Sequence, residues 1–522
     1  MSAADGAAPG RPHTPHTPHT PPPGWRQAFE AELLPLLQRT AAPGVGVTLF
    51  SAGEVLLEAG YGQRDLQRGL PVTPGTIFGV ASITKSFTAL SVQLLAAEGL
   101  LSLNDPVTDY LPFTLWEGRE PARLRHFLDH TSGLAPTPTM TWLRVASQAN
   151  DPVAGGASLS EALSTVAGGA DELVGRAAQV GTFGGLVEWL NANADLLGEP
   201  GAVFSYSNDA YCLMGGVVET VSRMRFDDFV QHRILSPLGM QRSTFELADV
   251  LADPDHTTIY ERAANGRVAP SPAWQTTGRM LGGGMLKSTL ADLRTWVRAL
   301  MAPAAVAGDL GVAPAAALGL EPERVQQMAW STGQPLGLPN TDSYGLGLRT
   351  RAGYAAGELN YAPGGLSVVG HGGSLKGVSS QIAWAPELGV GVVVLSNLAG
   401  LPSERMAVMA LNAYAGLPVT GATYDPAPLP LAPAEEAATL HELLGDYSSG
   451  EPYGRLSLFV DEGGQLQAAV GAPAEVVPAY LVSPNEVALR YAEHVAPALF
   501  LRRQDGAVWA AHVGSRVLRR VG

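Results

Sequence analysis

The stretch FGVASITKSFTALSVQLLAAEGL, residues 78–100, holds a helical pattern that begins at a serine. After Ser82, apolar residues recur at the three- and four-residue spacing of one helix face, and Gly99 is a typical helix stop. The pattern therefore predicts a helix from Ser82 to about Glu98. Because residues three apart share a helix face, the Lys85 ammonium group is within reach of the Ser82 hydroxyl.

Lys85 is one of three lysines in the chain, and it alone has a serine three residues before it. The free N–H groups at a helix N-terminus favour negative charge and disfavour an ammonium group. We therefore expect this position to lower the pKa of Lys85 and to favour an alkoxide on Ser82, which makes the serine a candidate nucleophile. Taken alone, the pattern S-x-x-K also fits an N-terminal serine beside a surface lysine.

A second cluster lies in PGAVFSYSNDAYCLMGGVVE, residues 200–219, where Tyr206 and Asn208 precede a helical pattern. On an extended segment, residues two apart project to the same side. A tyrosine beside a cationic lysine can have a lowered pKa and act as a general base, and an amide can bond both a lysine and a substrate carbonyl. Taken alone, Tyr-x-Asn also fits an ordinary turn.

The third cluster is HGGSLKGVSS, residues 371–380, which leads directly into a strand-like run. Gly372 and Gly373 follow His371 and let a ligand backbone approach a sheet edge closely. The N–H of Ser374 is placed to donate to an oxyanion. A glycine turn that enters a strand is the simpler interpretation of this segment in isolation.

The order S-x-x-K, Y-x-N, H-G-G, at these distances, is far more specific than any one of the motifs. Together they resemble the serine β-lactamase and penicillin-binding protein superfamily, in the S12-type branch of class C β-lactamases, DD-peptidases, D-aminopeptidases and related esterases. The resemblance covers about residues 30–415. It extends to the phrases LRHFLDHTSGL (124–134), ILSPLGMQRSTF (234–245), GGGMLKSTLADL (282–293) and GVGVVVLSNLAG (389–400).

The resemblance implies roles for the first two clusters. Ser82 looks like the acylated nucleophile, Lys85 and Tyr206 look like the acid/base pair, and Asn208 looks like a ligand of the substrate amide. A family member of this type needs no metal and no organic cofactor.

The resemblance also implies roles for the third cluster. His371 looks like the element that faces the substrate across the cleft, with Gly373 beside it, and the N–H groups of Ser82 and Ser374 resemble the oxyanion hole. The departure is His371-Gly372, where β-lactamases of this branch have Lys-Thr. The loss of a permanent cation and a hydroxyl weakens recognition of the carboxylate of β-lactam antibiotics and favours peptidase or esterase work.

The order of elements predicts an α/β fold. Apolar runs at 44–50 and 54–62, and again at 379–385 and 390–396, predict two hairpins with helical patterns between them. We therefore expect a β-lactamase-like sandwich, in which an antiparallel sheet has flanking helices and an inserted helical subdomain.

Four regions are expected along the chain. Residues 1–24 form a disordered His-Thr-Pro tail, residues 25–416 the β-lactamase-like serine hydrolase domain, and residues 417–436 a Pro/Ala-rich linker. Residues 437–522 hold short strand-like runs at close spacing, which predict an all-β, barrel-like domain. This last region resembles the small lipocalin-like domain of some family members, and a structural or oligomerising role is expected for it in preference to ligand transport.

The composition of the chain limits the kinds of partner and the cellular location that we expect for the protein. A net charge of −15 with no basic run argues against nucleic acid. No stretch is apolar enough to span a bilayer, and the first residues contain no signal-like apolar run, so the expected location is cytoplasmic. The single cysteine, Cys212, excludes an intrachain disulfide and a cysteine-based zinc cluster.

The expected function is a serine hydrolase that forms an acyl-enzyme on esters, small amides or peptides. A true β-lactamase or DD-carboxypeptidase is the alternative among enzymes. A penicillin-type binder or sensor that does not complete hydrolysis is the alternative from another class.

Overall fold

The computed structural model describes residues 19–147, 169–263, 265–271, 273–305, 311–330, 334–335, 342–354, 366–419, 439–451, 454–471, 474–491 and 495–521. Most of the predicted tail and of the predicted linker lies outside these ranges. The described chain forms an α/β unit around a nine-stranded sheet, followed by a closed eight-stranded barrel. The predicted fold class is therefore confirmed.

The large sheet has the order β3-β2-β1-β13-β12-β11-β10-β9-β8, and its paired neighbours are antiparallel. Both predicted hairpins, β1–β2 and β12–β13, lie inside it and meet through the pairing of β1 with β13. Its strands are β1 Gly44–Ser51, β2 Val55–Asp65, β3 Leu70–Pro71, β8 Gln334–Pro335, β9 Asp342–Tyr344, β10 Arg349–Tyr354, β11 Leu366–Leu375, β12 Val378–Ala385 and β13 Val390–Ser396. Two short sheets pair β4 Phe78–Gly79 with β7 Lys287–Ser288, and β5 Tyr260–Arg262 with β6 Val268–Pro270.

Helices cover both faces of the sheet. The α-helices are α1 Trp25–Arg39, α2 Thr84–Ala97, α3 Leu124–Leu128, α4 Thr139–Ala146, α5 Gly169–Val180, α6 Phe183–Asn193, α7 Asn208–Ser222, α8 Phe226–Val230, α9 Leu247–Ala252, α10 Leu290–Met301, α11 Pro314–Ala317, α12 Pro322–Trp330, α13 Ser403–Ala415 and α14 Leu440–Leu443. Ala81–Ile83 and Val107–Asp109 are 3₁₀ turns, and Gln231–Leu235 is a π-helix.

The sheet separates two apolar cores because successive side chains of a strand point to opposite faces. In β13, Val392 and Val394 pack with α1 and α13, whereas Val393 and Leu395 pack with α2, α7 and α10. The described end of the predicted tail lies against the first of these layers, where His19 Nε2 is 3.0 Å from the carbonyl oxygen of Tyr414. The second, larger core supports the helix that carries Lys85.

The predicted helix after Ser82 is present. A 3₁₀ turn containing Ser82 leads into α2, and Gly99 follows the helix in the left-handed conformation, as a stop glycine does. Helix α2 is buried from Thr84 to Leu95. Trp296 of α10 stacks on Phe87 with ring centroids 3.9 Å apart.

The barrel consists of β14 Gly445–Ser448, β15 Arg455–Val460, β16 Leu466–Val470, β17 Glu475–Ser483, β18 Glu486–Arg490, β19 Val495–Arg502, β20 Val508–Val513 and β21 Arg516–Arg520. It closes by pairing β14 with β21. The barrel has an apolar core of its own that includes Tyr447, Leu458 and Phe500. In the described residues, no helix is both long and apolar enough to cross a membrane.

Replacement of Trp296 tests how much its packing against α2 contributes to the stability of the protein. Its ring is fully buried, and its Nε1 donates to Ser86 Oγ at 3.0 Å. We expect Trp296→Ala to lower the free energy of unfolding by about 3–5 kcal/mol, because it removes the stacked ring and leaves a cavity. Urea unfolding followed by circular dichroism measures this. Leu251→Ala, at a side chain that is 51% exposed, is the control, and equal midpoints for the two variants would contradict the assignment.

Candidate active site

Ser82 lies in the 3₁₀ turn Ala81–Ile83, directly before α2. The turn is fixed to the sheet, because Ser380 Oγ of β12 donates to the Val80 carbonyl at 2.8 Å. Ala81 has a φ of 47°, a left-handed value that a residue with a side chain seldom adopts. The surrounding packing therefore holds a strained backbone next to the Ser82 hydroxyl.

Lys85 is fully buried, and its Nζ contacts three oxygen atoms. It lies 3.2 Å from Ser82 Oγ, 2.8 Å from Asn208 Oδ1 and 2.5 Å from the Gly283 carbonyl oxygen. In the described part of the chain, no carboxylate forms a hydrogen bond or ion pair with it. Burial lowers the pKa of Lys85 to about 7, which is the predicted direction, and desolvation is the largest cause of the shift.

Tyr206 and Asn208 reach Lys85 from the start of α7. Ser207 caps this helix by accepting a hydrogen bond from the Ala210 N–H at 3.1 Å. The Tyr206 hydroxyl lies near enough to the Ser82 side chain to lower the pKa of Tyr206, and the Lys85 nitrogen lies 4.8 Å from the centroid of the Tyr206 ring. The structure thus brings Ser82, Lys85, Tyr206 and Asn208 together.

The protonation of Tyr206 differs from the expectation. Burial raises its pKa above the usual value, and the nearby Ser82 side chain and the positive charge of Arg516 offset that rise only in part. Tyr206 is therefore a protonated phenol at neutral pH, and Lys85 is the group that can take up a proton there.

His130 forms two hydrogen bonds with residues 205–207, the segment called the Tyr206 loop. Its Nδ1 accepts a hydrogen bond from the Ser207 N–H at 3.1 Å, and its carbonyl oxygen accepts one from the Ser205 N–H at 2.9 Å. The two rings of His130 and Tyr206 lie 4.2 Å apart. The φ of His130 is 61°, so this contact is built on a second strained residue.

The third predicted cluster lies on β11, beside the Ser82 turn. His371 Nδ1 donates to the Gly372 carbonyl at 2.6 Å, which leaves Nε2 to accept from the Tyr344 hydroxyl at 2.9 Å. Burial lowers the pKa of His371 to about 3, so the ring is neutral. Ser374 is exposed and pairs in register with Ser379 of β12.

A cavity of about 240 Å³ opens at Ser82. His371 and Tyr206, two of the predicted site residues, line it. It is also lined by residues that the sequence motifs did not single out, chiefly Phe204, Tyr344, Arg349, Arg351, Gln381, Glu404 and Ser515. The spacing of two between Arg349 and Arg351 on a strand places both on one face and is the single sequence signal that points to these residues.

The chain belongs to the Beta-lactamase family, whose sequence profile matches residues 29–415. It is 27% identical over 368 residues to the protein flp of Staphylococcus aureus strain MW2, and the match takes in 69% of this chain and 61% of flp. The chain thus spans less than two thirds of the length of that relative. A Beta-lactamase of Yersinia enterocolitica is 25% identical over 273 residues, which are 52% of this chain and 58% of that enzyme.

Solved structures extend the likeness to the whole fold. An octameric penicillin-binding protein homologue from Pyrococcus abyssi aligns with a TM-score of 0.61 at 25% identity and covers 94% of this chain and 99% of its own. SurE, determined with D-Leu, aligns with a TM-score of 0.65 at 22% identity and covers 95% and 100%. The shared architecture therefore includes the barrel as well as the sheet.

Gly373 tests the contact between β11 and the Ser82 turn. A Cβ atom at this position would lie 2.4 Å from the Val80 carbonyl oxygen and 2.9 Å from Ala81 Cβ. We expect Gly373→Ala to destabilise the protein by about 1–3 kcal/mol, because backbone atoms must move to admit the methyl group. Urea unfolding measures the loss.

Gly372→Ala is the matched control for this prediction. Its Cβ would meet Gln381 Oε1 at 2.7 Å, the far end of a side chain that can turn away. A loss of stability that is equal in the two variants would contradict a specific contact at Gly373.

Proposed function

We propose that this protein is a serine hydrolase that forms an acyl-enzyme on Ser82, with esters, small amides or short peptides as substrates. The observation that carries the proposal is the buried Lys85 amine, which contacts Ser82 Oγ and has a pKa near neutrality. A lysine in this state is a base at pH 7, which activation of a serine hydroxyl requires. Membership of the Beta-lactamase family supports the same chemistry.

The hydrogen bonds of Lys85 favour acylation with this amine as the base. A neutral amine has two N–H bonds and one lone pair. Asn208 Oδ1 and the Gly283 carbonyl oxygen are acceptors only, so they take the two N–H bonds. The lone pair then faces Ser82 Oγ. As Ser82 attacks the substrate carbonyl, its proton moves to Lys85 and a tetrahedral oxyanion forms.

The protonated Tyr206 suits the second half of acylation. Its hydroxyl donates a proton to the departing alcohol or amine as the bond to the carbonyl carbon breaks, and Lys85 returns the proton to Tyr206. Water then attacks the Ser82 ester by the reverse path and releases the acid. We assign the oxyanion to the N–H groups of Ser82 and Ser374, and the substrate amide to Asn208.

The polar groups of the cavity bear on the substrate. His371 is neutral and saturated by its two hydrogen bonds, so it offers no permanent cation. A D-stereospecific amidohydrolase from Streptomyces sp. shares the fold at a TM-score of 0.52, and SurE was determined with D-Leu. These relatives favour a small amide or a peptide that bears a D-residue.

A β-lactamase or DD-carboxypeptidase is the second candidate. Arg349 and Arg351 line the same cavity and bring guanidinium groups to a wall where the H-G-G segment has no permanent cation, although Arg351 also forms an ion pair with Glu404 at 2.9 Å. Both activities act on substrates with a carboxylate, which a guanidinium group binds well. Hydrolysis of nitrocefin, compared with hydrolysis of p-nitrophenyl butyrate, distinguishes a β-lactamase from an esterase or peptidase. Stable acylation by penicillin without turnover would instead support a binder or sensor.

Ser82→Ala tests the proposed function directly. We expect wild-type protein to hydrolyse p-nitrophenyl butyrate and Ser82→Ala to lose this activity completely, because the variant has no nucleophile. Release of p-nitrophenolate by identically prepared proteins is the measurement. Equal activity in the two proteins would show that Ser82 is not the nucleophile.

The pKa of Lys85 sets the expected pH dependence. Below about pH 7 the amine is protonated and cannot accept the Ser82 proton, so kcat/KM should rise with pH through an inflection near 7. Lys85→Met should lower kcat/KM by about 10²–10⁴-fold. The control is Lys287→Met, because Lys287 is also buried but donates to the Phe245 carbonyl at 2.9 Å. A flat profile, or an equal loss in the two variants, would exclude Lys85 as the base.

A further inference from the structure

The barrel touches the Tyr206 loop through its main chain. The Tyr206 N–H donates to the Ser515 carbonyl at 2.8 Å, in the turn between β20 and β21. The Val517 N–H donates to Ser205 Oγ at 3.3 Å. Two neighbouring residues of the site are therefore hydrogen-bonded to two residues of a single barrel hairpin, and Ser515 also lines the cavity at Ser82.

Arg516 of the same turn lies against the Tyr206 ring. Its guanidinium carbon is 4.6 Å from the ring centroid, the geometry of a cation–π contact. Two nitrogen atoms of the group donate to the two carboxylate oxygens of Glu451, at 2.7 and 3.2 Å. Such a two-bond pair fixes the plane of the guanidinium group. The Arg516 side chain is 18% exposed, so its charge is poorly screened by solvent.

Glu451 belongs to the loop after β14, which is itself packed on the α/β unit. A Cβ atom on Gly450 would lie 2.3 Å from the Pro136 carbonyl oxygen, so only a glycine allows this approach. Close to this contact, Arg519 of β21 donates to Asp195 at 2.7 Å and to the Leu196 carbonyl at 2.8 Å. The Glu451 carboxylate therefore holds the Arg516 guanidinium group from a loop that is packed on the α/β unit.

Few permanent charges surround the proton-transfer pair. The titratable or charged groups that face Tyr206, Lys85 or Arg516 are His130, Arg144, Asp209, Tyr211, Cys212, Tyr344, His371, Glu451, His512 and Arg516 itself. Burial keeps the histidines, the tyrosines and the cysteine of this set neutral. In the described residues, the charges that remain are those of Arg144, Glu451 and Arg516, together with the carboxyl group of Asp209, whose pKa burial raises to about 6.

We propose that the β20–β21 turn of the barrel is part of the active site, and that Arg516 is a positioning residue that holds Tyr206 where it passes a proton from Lys85 to the leaving group. The proposal rests on the function proposed above. It assigns to the barrel a direct effect on catalysis. The Ser515 carbonyl fixes the Tyr206 backbone, and Arg516 fixes the ring and stabilises negative charge that develops on its oxygen as the proton leaves.

The experiment compares two arginines of one hairpin in the full-length protein. We expect Arg516→Met to lower kcat for p-nitrophenyl butyrate by about 10–100-fold with little change in KM, because Tyr206 acts in the transition state. Arg516→Lys should restore part of the rate. Arg519→Met is the matched control, since it removes an interface ion pair but no charge beside Tyr206, and its kcat should stay within about twofold of wild type.

The pH profile distinguishes a positioning role from a merely structural one. Arg516 disfavours a second positive charge on Lys85, and Glu451 favours it. The inflection near pH 7 should therefore move to higher pH in Arg516→Met and to lower pH in Glu451→Gln. Opposite shifts of this kind do not follow from a general loosening of the interface, which would move both variants the same way.

Three outcomes decide between the proposals. Equal losses in Arg516→Met and Arg519→Met, with no shift of the inflection, would reduce Arg516 to an interface contact and overturn the inference. Activity that survives Ser82→Ala would overturn the proposed function instead, whatever Arg516 does. If Arg516→Met fails to fold, the direction in which the pH inflection moves in Glu451→Gln tests the inference. If ester turnover is too slow to measure, the rate of labelling by a fluorophosphonate at each pH gives the same pH dependence.

Discussion

Lys85 is buried with an amide oxygen and a main-chain carbonyl as its acceptors, where most buried lysines have a carboxylate. A carboxylate would hold the ammonium form and keep the amine protonated. The absence of one among the described contacts leaves the amine near its neutral state, and that state depends on keeping water out. Three parts of the structure keep water away from the Lys85 amine. They are the large core around α2, the loop that carries Gly283 and the start of α7.

Backbone segments that pack closely together help to exclude water from the Lys85 amine. Gly283 faces Cys212 Sγ at 3.0 Å, and Gly373 faces the Val80 carbonyl oxygen at 2.4 Å, both measured from the Cβ atom that a glycine lacks. Larger residues at these points would open a gap between the Ser82 turn and its neighbours. The two strained residues, Ala81 and His130, lie where the same segments converge. Strain and close packing are therefore concentrated around the buried amine of Lys85.

Much of this architecture was predictable from the sequence. The α2 helix, both hairpins and the barrel could be predicted because each follows from the spacing of apolar residues in a short segment. The S-x-x-K and Y-x-N residues meet because each motif lies at the start of a helix. Arg349 and Arg516 were not foreseen, since β10 and the barrel reach the site through topology that no local pattern records. The protonation of Tyr206 was expected with the opposite sign, because the charge of Lys85 is visible in a sequence and the depth of burial is not.

The pairing of β14 with β21 has a consequence for the order in which the molecule is made. The barrel closes only when its last strand is available, and the Tyr206 N–H obtains its partner at Ser515 from the same hairpin. During synthesis, Ser82, Lys85 and Tyr206 all leave the ribosome long before that hairpin does. The nascent chain therefore carries Ser82, Lys85 and Tyr206 before the β20–β21 hairpin has been made, and the main-chain hydrogen bond that fixes Tyr206 forms only after the barrel strands have been synthesised.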